Sequence, residues 1–257
     1  MTLSNILQTN NECPTCKGKR YICKDKENNI WSKCPMCNEG AIGNEIIERS
    51  GIPNGNHNKR ITDIDWSLYV LNGKKIDTEK EEKMIDRFIE NYPEIKTFGM
   101  GLYLTSDTRG SGKTFIASCV GCSLADIHHA NVKFINESEL INEAQKKEQV
   151  SAYASRYDDD RILLYCECDV LILDDVGQSY NANKWVSQII NRIVNQRREH
   201  NLMTIYTSNY TIDDLPFDTN IKSRIQEKVF TIHIPEVSIR MQVGNENKRQ
   251  ILSKMGF

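Results

Sequence analysis

The chain has 257 residues, 39% of them hydrophobic and 26% charged, with a formal net charge of -2. That fits one large soluble domain, or one with a small module attached, and excludes a surface that grips nucleic acid through overall charge. No apolar run approaches the roughly 20 residues of a membrane span, no signal peptide is apparent, and nine cysteines without one point to reduced thiols and metal in a cytoplasmic protein.

Cys13 and Cys16 form one C-x-x-C pair and Cys34 and Cys37 a second, with 17 residues between them. This is zinc-ribbon spacing, and four thiolates at ~2.3 Å complete a closed tetrahedral site. A segment so short of large aliphatics needs such a staple, so residues 1–45 are expected to be a small zinc-ribbon-like domain holding structural Zn2+. Lys17, Lys19, Arg20, Lys24, Lys26 and Lys33, with Tyr21 and Trp31 nearby, give it a basic cast. That suits single-stranded nucleic acid or a protein partner. Residues 46–75 read as a linker or irregular lead-in, and 76–257 as the main domain.

Residues 77–91 predict an amphipathic helix with Met84, Ile85, Phe88 and Ile89 on one face and Pro93 as its stop. Beyond it strands and helices alternate, which implies a parallel sheet wrapped by helices. Strands are expected at 102–105, 131–136, 169–174 and 203–208, and helices at 113–129, 137–148 and 183–200. The run from Val170 to Leu173 is apolar throughout, as in a strand buried on both faces. Cys119 and Cys122 fall inside the 113–129 helix and read as core residues, as do Cys166 and Cys168 ahead of the next strand. The tail from Ile221 is short and mixed.

Between the first strand and helix lies the stretch from Ser106 to Phe115, SDTRGSGKTF. It ends as a phosphate-binding loop does, with Gly110, Gly112, Lys113 and Thr114 in place. The usual first glycine is Asp107, a residue type that tolerates positive φ. Such a loop aims backbone N–H groups into one concave space at a helix N-terminus. Thr108, Arg109, Gly110, Ser111, Gly112, Lys113, Thr114 and Phe115 are therefore the candidate nucleotide-binding residues. Lys113 would neutralise the outer phosphates, and Thr114 with Asp174 would hold Mg2+. Asp175 suits the group that orients an attacking water. Asn209, ending the 203–208 strand, is placed to bond the γ-phosphate or that water. Arg224 is placed to reach a neighbouring subunit's phosphate.

In order and spacing, Gly110–Thr114, Asp169–Gly177 (DVLILDDVG), the helix at 189–198, Thr204–Asn209 (TIYTSN) and Ser223–Ile225 resemble the DnaC/DnaI-type helicase loaders. These are AAA+ ATPases related to the IstB transposition helpers. The resemblance covers about residues 50–245 and implies an α/β AAA+ P-loop NTPase fold. It makes Lys113 and Thr114 the Walker A pair, Asp174 and Asp175 the Walker B pair, Asn209 sensor 1 and Arg224 an arginine finger. Ser238-x-Arg240 is similar to the family's S-x-R, which makes Arg240 a second phosphate sensor. Only 17 residues follow Arg240, so the usual helical lid is expected to be truncated.

The implied function is ATP-dependent loading of a hexameric replicative helicase, with ATP and Mg2+ as cofactors. The implied partners are that helicase, single-stranded DNA and further copies of the chain in a ring or spiral. Acidic residues Asp158–Asp160 stand where loaders present a DNA-contacting helix, a departure from the pattern. Two alternatives stay open: an IstB-like transposition helper ATPase, and a nucleotide-binding adaptor with little hydrolysis.

Overall fold

The computed structural model describes residues 21–25, 30–33, 35–142, 159–178 and 184–255. Strands β1 (Tyr21–Asp25) and β2 (Ile30–Lys33) form an antiparallel hairpin pairing Tyr21 with Lys33. Helix α1 (Pro35–Glu48) follows. An irregular stretch then leads through a small ribbon, β3 (Val70–Leu71) and β4 (Lys74–Lys75), to α2 (Glu79–Glu90) and α3 (Tyr92–Thr97). The α2 face buries Ile85, Phe88 and Ile89 as the periodicity predicts, with Met84 packed at its margin. Pro93, however, starts α3 instead of ending the helical region, because its missing N–H costs nothing in a first turn.

The main sheet has five parallel strands: β5 (Gly101–Thr105), β6 (Val132–Asn136), β7 (Val170–Asp174), β8 (Met203–Ser208) and β9 (Val229–His233). Their spatial order is β6-β7-β8-β5-β9. Alternate residues feed two cores. Leu102, Leu104, Val170, Ile172, Met203 and Ile205 pack on one face. Tyr103, Leu171, Leu173 and Tyr206 pack on the other. Burial on both faces is why β5, β7 and β8 are legible as strands, most plainly in the apolar run of β7.

The first face is covered by α4 (Lys113–His128), α1, α2, α3 and the stretch between α1 and β3. That stretch is irregular but firmly packed: Ile52, Ile61, Ile64, Trp66 and Tyr69 are all buried. Helix α4 lies close enough to the sheet that a Cβ on Gly121 would stand 2.6 Å from Ile172 Cδ1. Cys119 and Cys122 are wholly buried, and burial pushes their thiols up to about 12 and about 11, so they behave as core filler. Cys166 and Cys168 are buried too.

The second face is covered by α5 (Asp159–Glu167), α6 (Lys184–Glu199) and α7 (Thr219–Glu227). Arg197 of α6, 1% exposed, ties the near ends of β7 and β8 together. Its guanidinium donates to the carbonyls of Cys168 (2.9 Å), Asp169 (3.3 Å) and Met203 (2.5 Å), and to Thr204 Oγ1 (2.9 Å).

The helix predicted from 137 is present through 142, and residues 143–148 lie outside those described. The mixed tail resolves into α7, the edge strand β9 and one further helix, α8 (Ile239–Lys254). Among the described residues no helix is long and apolar enough to cross a membrane.

Candidate nucleotide site

The loop between β5 and α4 wraps the helix N-terminus. Gly110 (φ +78°) and Gly112 (φ +100°) take the left-handed backbone that the loop requires. Asp107 does not: among the described residues positive φ outside glycine occurs at Asn72, His129, Asp175 and Asn201. The expected reliance of Asp107 on tolerating positive φ is therefore corrected. The turn at the first position of this loop uses ordinary backbone, so a side chain costs nothing there.

A cavity of about 650 Å³ opens against the loop, inside the roughly 300–1,000 Å³ range of small-molecule sites. Arg109, Gly110, Ser111, Gly112, Lys113, Thr114 and Phe115 line it, together with Asp175, Asn209 and Arg240. Thr108 does not line it. Its carbonyl accepts from Lys113 Nζ at 3.1 Å, and its N–H is bonded to Glu236.

Lys113 is 5% exposed. Its ammonium donates to the Ser106 carbonyl at 2.9 Å and Ser111 Oγ at 3.2 Å as well as to Thr108. Burial pulls its pKa down, against the pull of Asp175, Glu236, Asp174 and Asp107. The cation is thus held by neutral oxygens inside a ring of carboxylates, and a phosphate anion is a stronger partner than a carbonyl.

Asp174 closes β7, 4% exposed and level with Asn136 on β6. Thr207 Oγ1 donates to its Oδ1 at 2.6 Å and accepts the Asp175 N–H at 2.9 Å. Burial raises the Asp174 carboxyl above the ordinary range, Thr207 opposes this, Asp175 adds to it, and hydrogen bonds from Thr114 and Asn136 oppose it. Thr114 and Asp174, the expected magnesium pair, therefore meet. Asp175 is half-buried at φ +56°, which turns it toward the cavity.

Arg224 on α7 is not among the cavity's lining residues. Its Nη1 donates to Asn191 Oδ1 on α6 at 3.0 Å. Arg240 begins α8, and its N–H donates to the Gly110 carbonyl at 3.1 Å. Of the four zinc-spaced cysteines, Cys13, Cys16 and Cys34 lie outside the described residues, and Cys37 is placed only as part of the α1 backbone.

Several lining residues carried no sequence signal. Asp63, Ile64, Asp65, Leu68 and Tyr69, all from the lead-in, form one wall, and Gln178 joins from beyond Asp175. Tyr69, 1% exposed, donates from its hydroxyl to the Ser111 carbonyl at 2.8 Å. Thr207 was visible only as the middle of TIYTSN. Its role rests on strand register, which sequence does not display.

The profile of the ATPase family associated with various cellular activities (AAA) matches residues 103–232. Over 168 residues the chain is 26% identical to the replicative helicase loader DnaI of Bacillus subtilis (strain 168), covering 63% of this chain and 51% of that protein. It thus spans about half the length of that curated relative. A crystal structure of DnaI shares the fold at 23% identity and a TM-score of 0.58, covering 76% of this chain and 99% of the other. A crystal structure of the DnaC helicase loader does so at 21% and 0.55, covering 66% and 97%.

The raised Asp174 pKa fixes a sign. With the folded pKa above the unfolded one, the carboxylate costs stability at neutral pH, and the cost fades as pH falls through the folded value. Asp174→Asn keeps an acceptor for Thr207 and removes the buried charge. The nucleotide-free variant is expected to melt a few degrees higher than the native chain at pH 7, with the difference shrinking toward pH 4. A thermal melting series across pH checks this.

Proposed function

The chain belongs to the AAA family of ATPases, and from that premise we propose that it is an ATP-dependent replicative helicase loader. The observation that carries the nucleotide part is the single cavity shared by residues 109–115, Asp175, Asn209 and Arg240. The residues fit a magnesium-bound triphosphate. Gly110 and Gly112 leave the loop open where a Cβ would crowd Arg240 and Tyr69, and Lys113 supplies a cation already flanked by the loop. Backbone amides from Gly110 to Thr114 and the Lys113 ammonium hold the phosphates. Thr114 and Asp174 hold the magnesium, which when bound neutralises charge on the transferred phosphoryl group. Asp175 and Asn209 orient the attacking water, and Arg240 contacts the phosphates from α8.

Arg224 lies outside its own chain's cavity, so it is assigned to the cavity of a neighbouring copy, where it stabilises the charge developing at the γ-phosphate. Asp175 is one methylene shorter than glutamate, which favours slow turnover and a role closer to a switch than a motor. The loader assignment itself rests on the likeness to DnaI. On that reading the assembled copies dock on a hexameric helicase and grip single-stranded DNA. Structural zinc held by Cys13, Cys16, Cys34 and Cys37 would fold the N-terminal module for docking, a reading supported by the ligand spacing and by the hairpin β1–β2 between the two pairs.

Lys113→Ala is expected to weaken MgATP binding by about 100-fold, since a charge-assisted contact to phosphate is lost. Arg224→Ala is expected to bind ATP nearly as the native chain does and to lose hydrolysis. Titration and steady-state ATPase assays, with and without single-stranded DNA and a hexameric replicative helicase, check both; indifference to the helicase, with no capture of it, removes the loader reading. Metal analysis should find one zinc per chain, falling to none in Cys34→Ser.

A further inference from the structure

We propose that Glu236 is a positioning residue for nucleotide, its carboxylate clamping the mouth of the phosphate loop so that the amides from Gly110 onward stay aimed into the cavity. The inference rests on the ATP-binding reading above and extends it to a residue outside the loop and outside the cavity wall.

Three successive residues of the loop donate to this one carboxylate. Oε1 accepts the Asp107 N–H at 3.0 Å, and Oε2 accepts the Thr108 N–H at 2.6 Å and the Ser106 hydroxyl at 3.0 Å. His233 Nε2 lies 3.1 Å from Oε1. Burial would raise the Glu236 carboxyl, but the hydrogen bonds, led by Thr108, outweigh it and hold the group below the usual carboxylate range. The ionised form is thus the one this nest of donors favours.

The fold delivers Glu236 to this point through the sheet. β9 runs beside β5 to the pairing of His233 with Thr105, and the Ile234 N–H donates to the Thr105 carbonyl at 2.8 Å. Two residues later Glu236 faces the turn that leaves β5. Helix α8 begins next, and its Arg240 N–H meets the Gly110 carbonyl. The loop from Ser106 to Gly110 is therefore bracketed by the segment from Glu236 to Arg240.

The clamp acts on the half of the loop that does not face the cavity. Neither Asp107 nor Thr108 lines it, whereas every residue from Arg109 to Ile116 does. Lys113 holds the same turn from the opposite side, through the carbonyls of Ser106 and Thr108. A lysine that turns to phosphate must release those carbonyls. The Glu236 contacts use N–H and O–H groups and do not involve the ammonium, so they persist after that release. They keep the turn ordered in both states, and a loop ordered beforehand loses less entropy on binding.

A residue that merely fastened α8 to the sheet would make different predictions. The test uses the full chain, a fluorescent ATP analogue with magnesium, and the native, Lys113→Ala, Glu236→Ala, Glu236→Gln and His233→Ala proteins. Glu236→Ala is expected to weaken binding about tenfold, while the rate at saturating ATP falls less than about threefold. Glu236→Gln keeps one accepting oxygen and should fall between Glu236→Ala and native. His233 shares Oε1 with the Asp107 N–H but is itself largely exposed, so His233→Ala should stay within about twofold of native. Native affinity in Glu236→Ala overturns the clamp. So does an equal loss in the Ala, Gln and His233 variants accompanied by a lower nucleotide-free melting temperature, which would mark a fastening role. Tight binding by the native chain with loss in Lys113→Ala keeps the nucleotide reading intact whichever way Glu236 falls. Failure of the native chain to bind removes both.

Discussion

A buried lysine ammonium, ringed by carboxylates yet bonded only to neutral oxygens, is the constraint around which this structure is arranged. Lys113 opens α4, where the helix N-terminus already favours anions. Its hydrogen bonds to Ser106, Thr108 and Ser111 satisfy it without neutralising it. Asp107, Asp174, Asp175 and Glu236 supply negative charge around it. The site therefore holds a cation in reserve, with amides and a cavity beside it. A phosphate oxygen would be a stronger acceptor for that ammonium than a carbonyl, and the surrounding carboxylates would call for a divalent cation to accompany it.

The rest of the fold holds that arrangement in register. Thr207 joins the tip of β7 to β8, which holds Asp174 and Asp175 against the strand that leads to Asn209. Tyr69 ties the lead-in to the loop, and Glu236 with the Arg240 N–H ties the loop to β9 and α8. The loop is thus braced from three directions by segments that are distant in sequence. Of these segments helix α8 carries the most exposed apolar side chains, with Met241, Ile251 and Leu252 facing solvent.

Sequence revealed what local pattern determines. The strands β5, β7 and β8 were legible because both faces are buried, and the placement of Lys113 and Thr114 at a helix start and of Asp174 at a strand end because each follows from local pattern. β9 was not legible: Val229 and Ile232 are buried while Phe230, Thr231 and His233 are exposed, so it lacks both the continuous run and strict alternation. The lead-in was legible only as irregular chain. Its Ile52, Trp66 and Tyr69 are spaced to fit the surface of α4 and the loop, with neither helical nor strand period. Glu236 escaped because a lone glutamate after a proline signals nothing until β9 is seen beside β5.

The most direct test of the central claim is a structure of the chain bound to magnesium and a non-hydrolysable ATP analogue. The account predicts the triphosphate in the cavity between the amides of Gly110–Thr114 and the tip of β7, with Lys113 turned from the Ser106 and Thr108 carbonyls to the phosphates. An analogue bound elsewhere, or a Lys113 still on those carbonyls with the cavity filled, would contradict it.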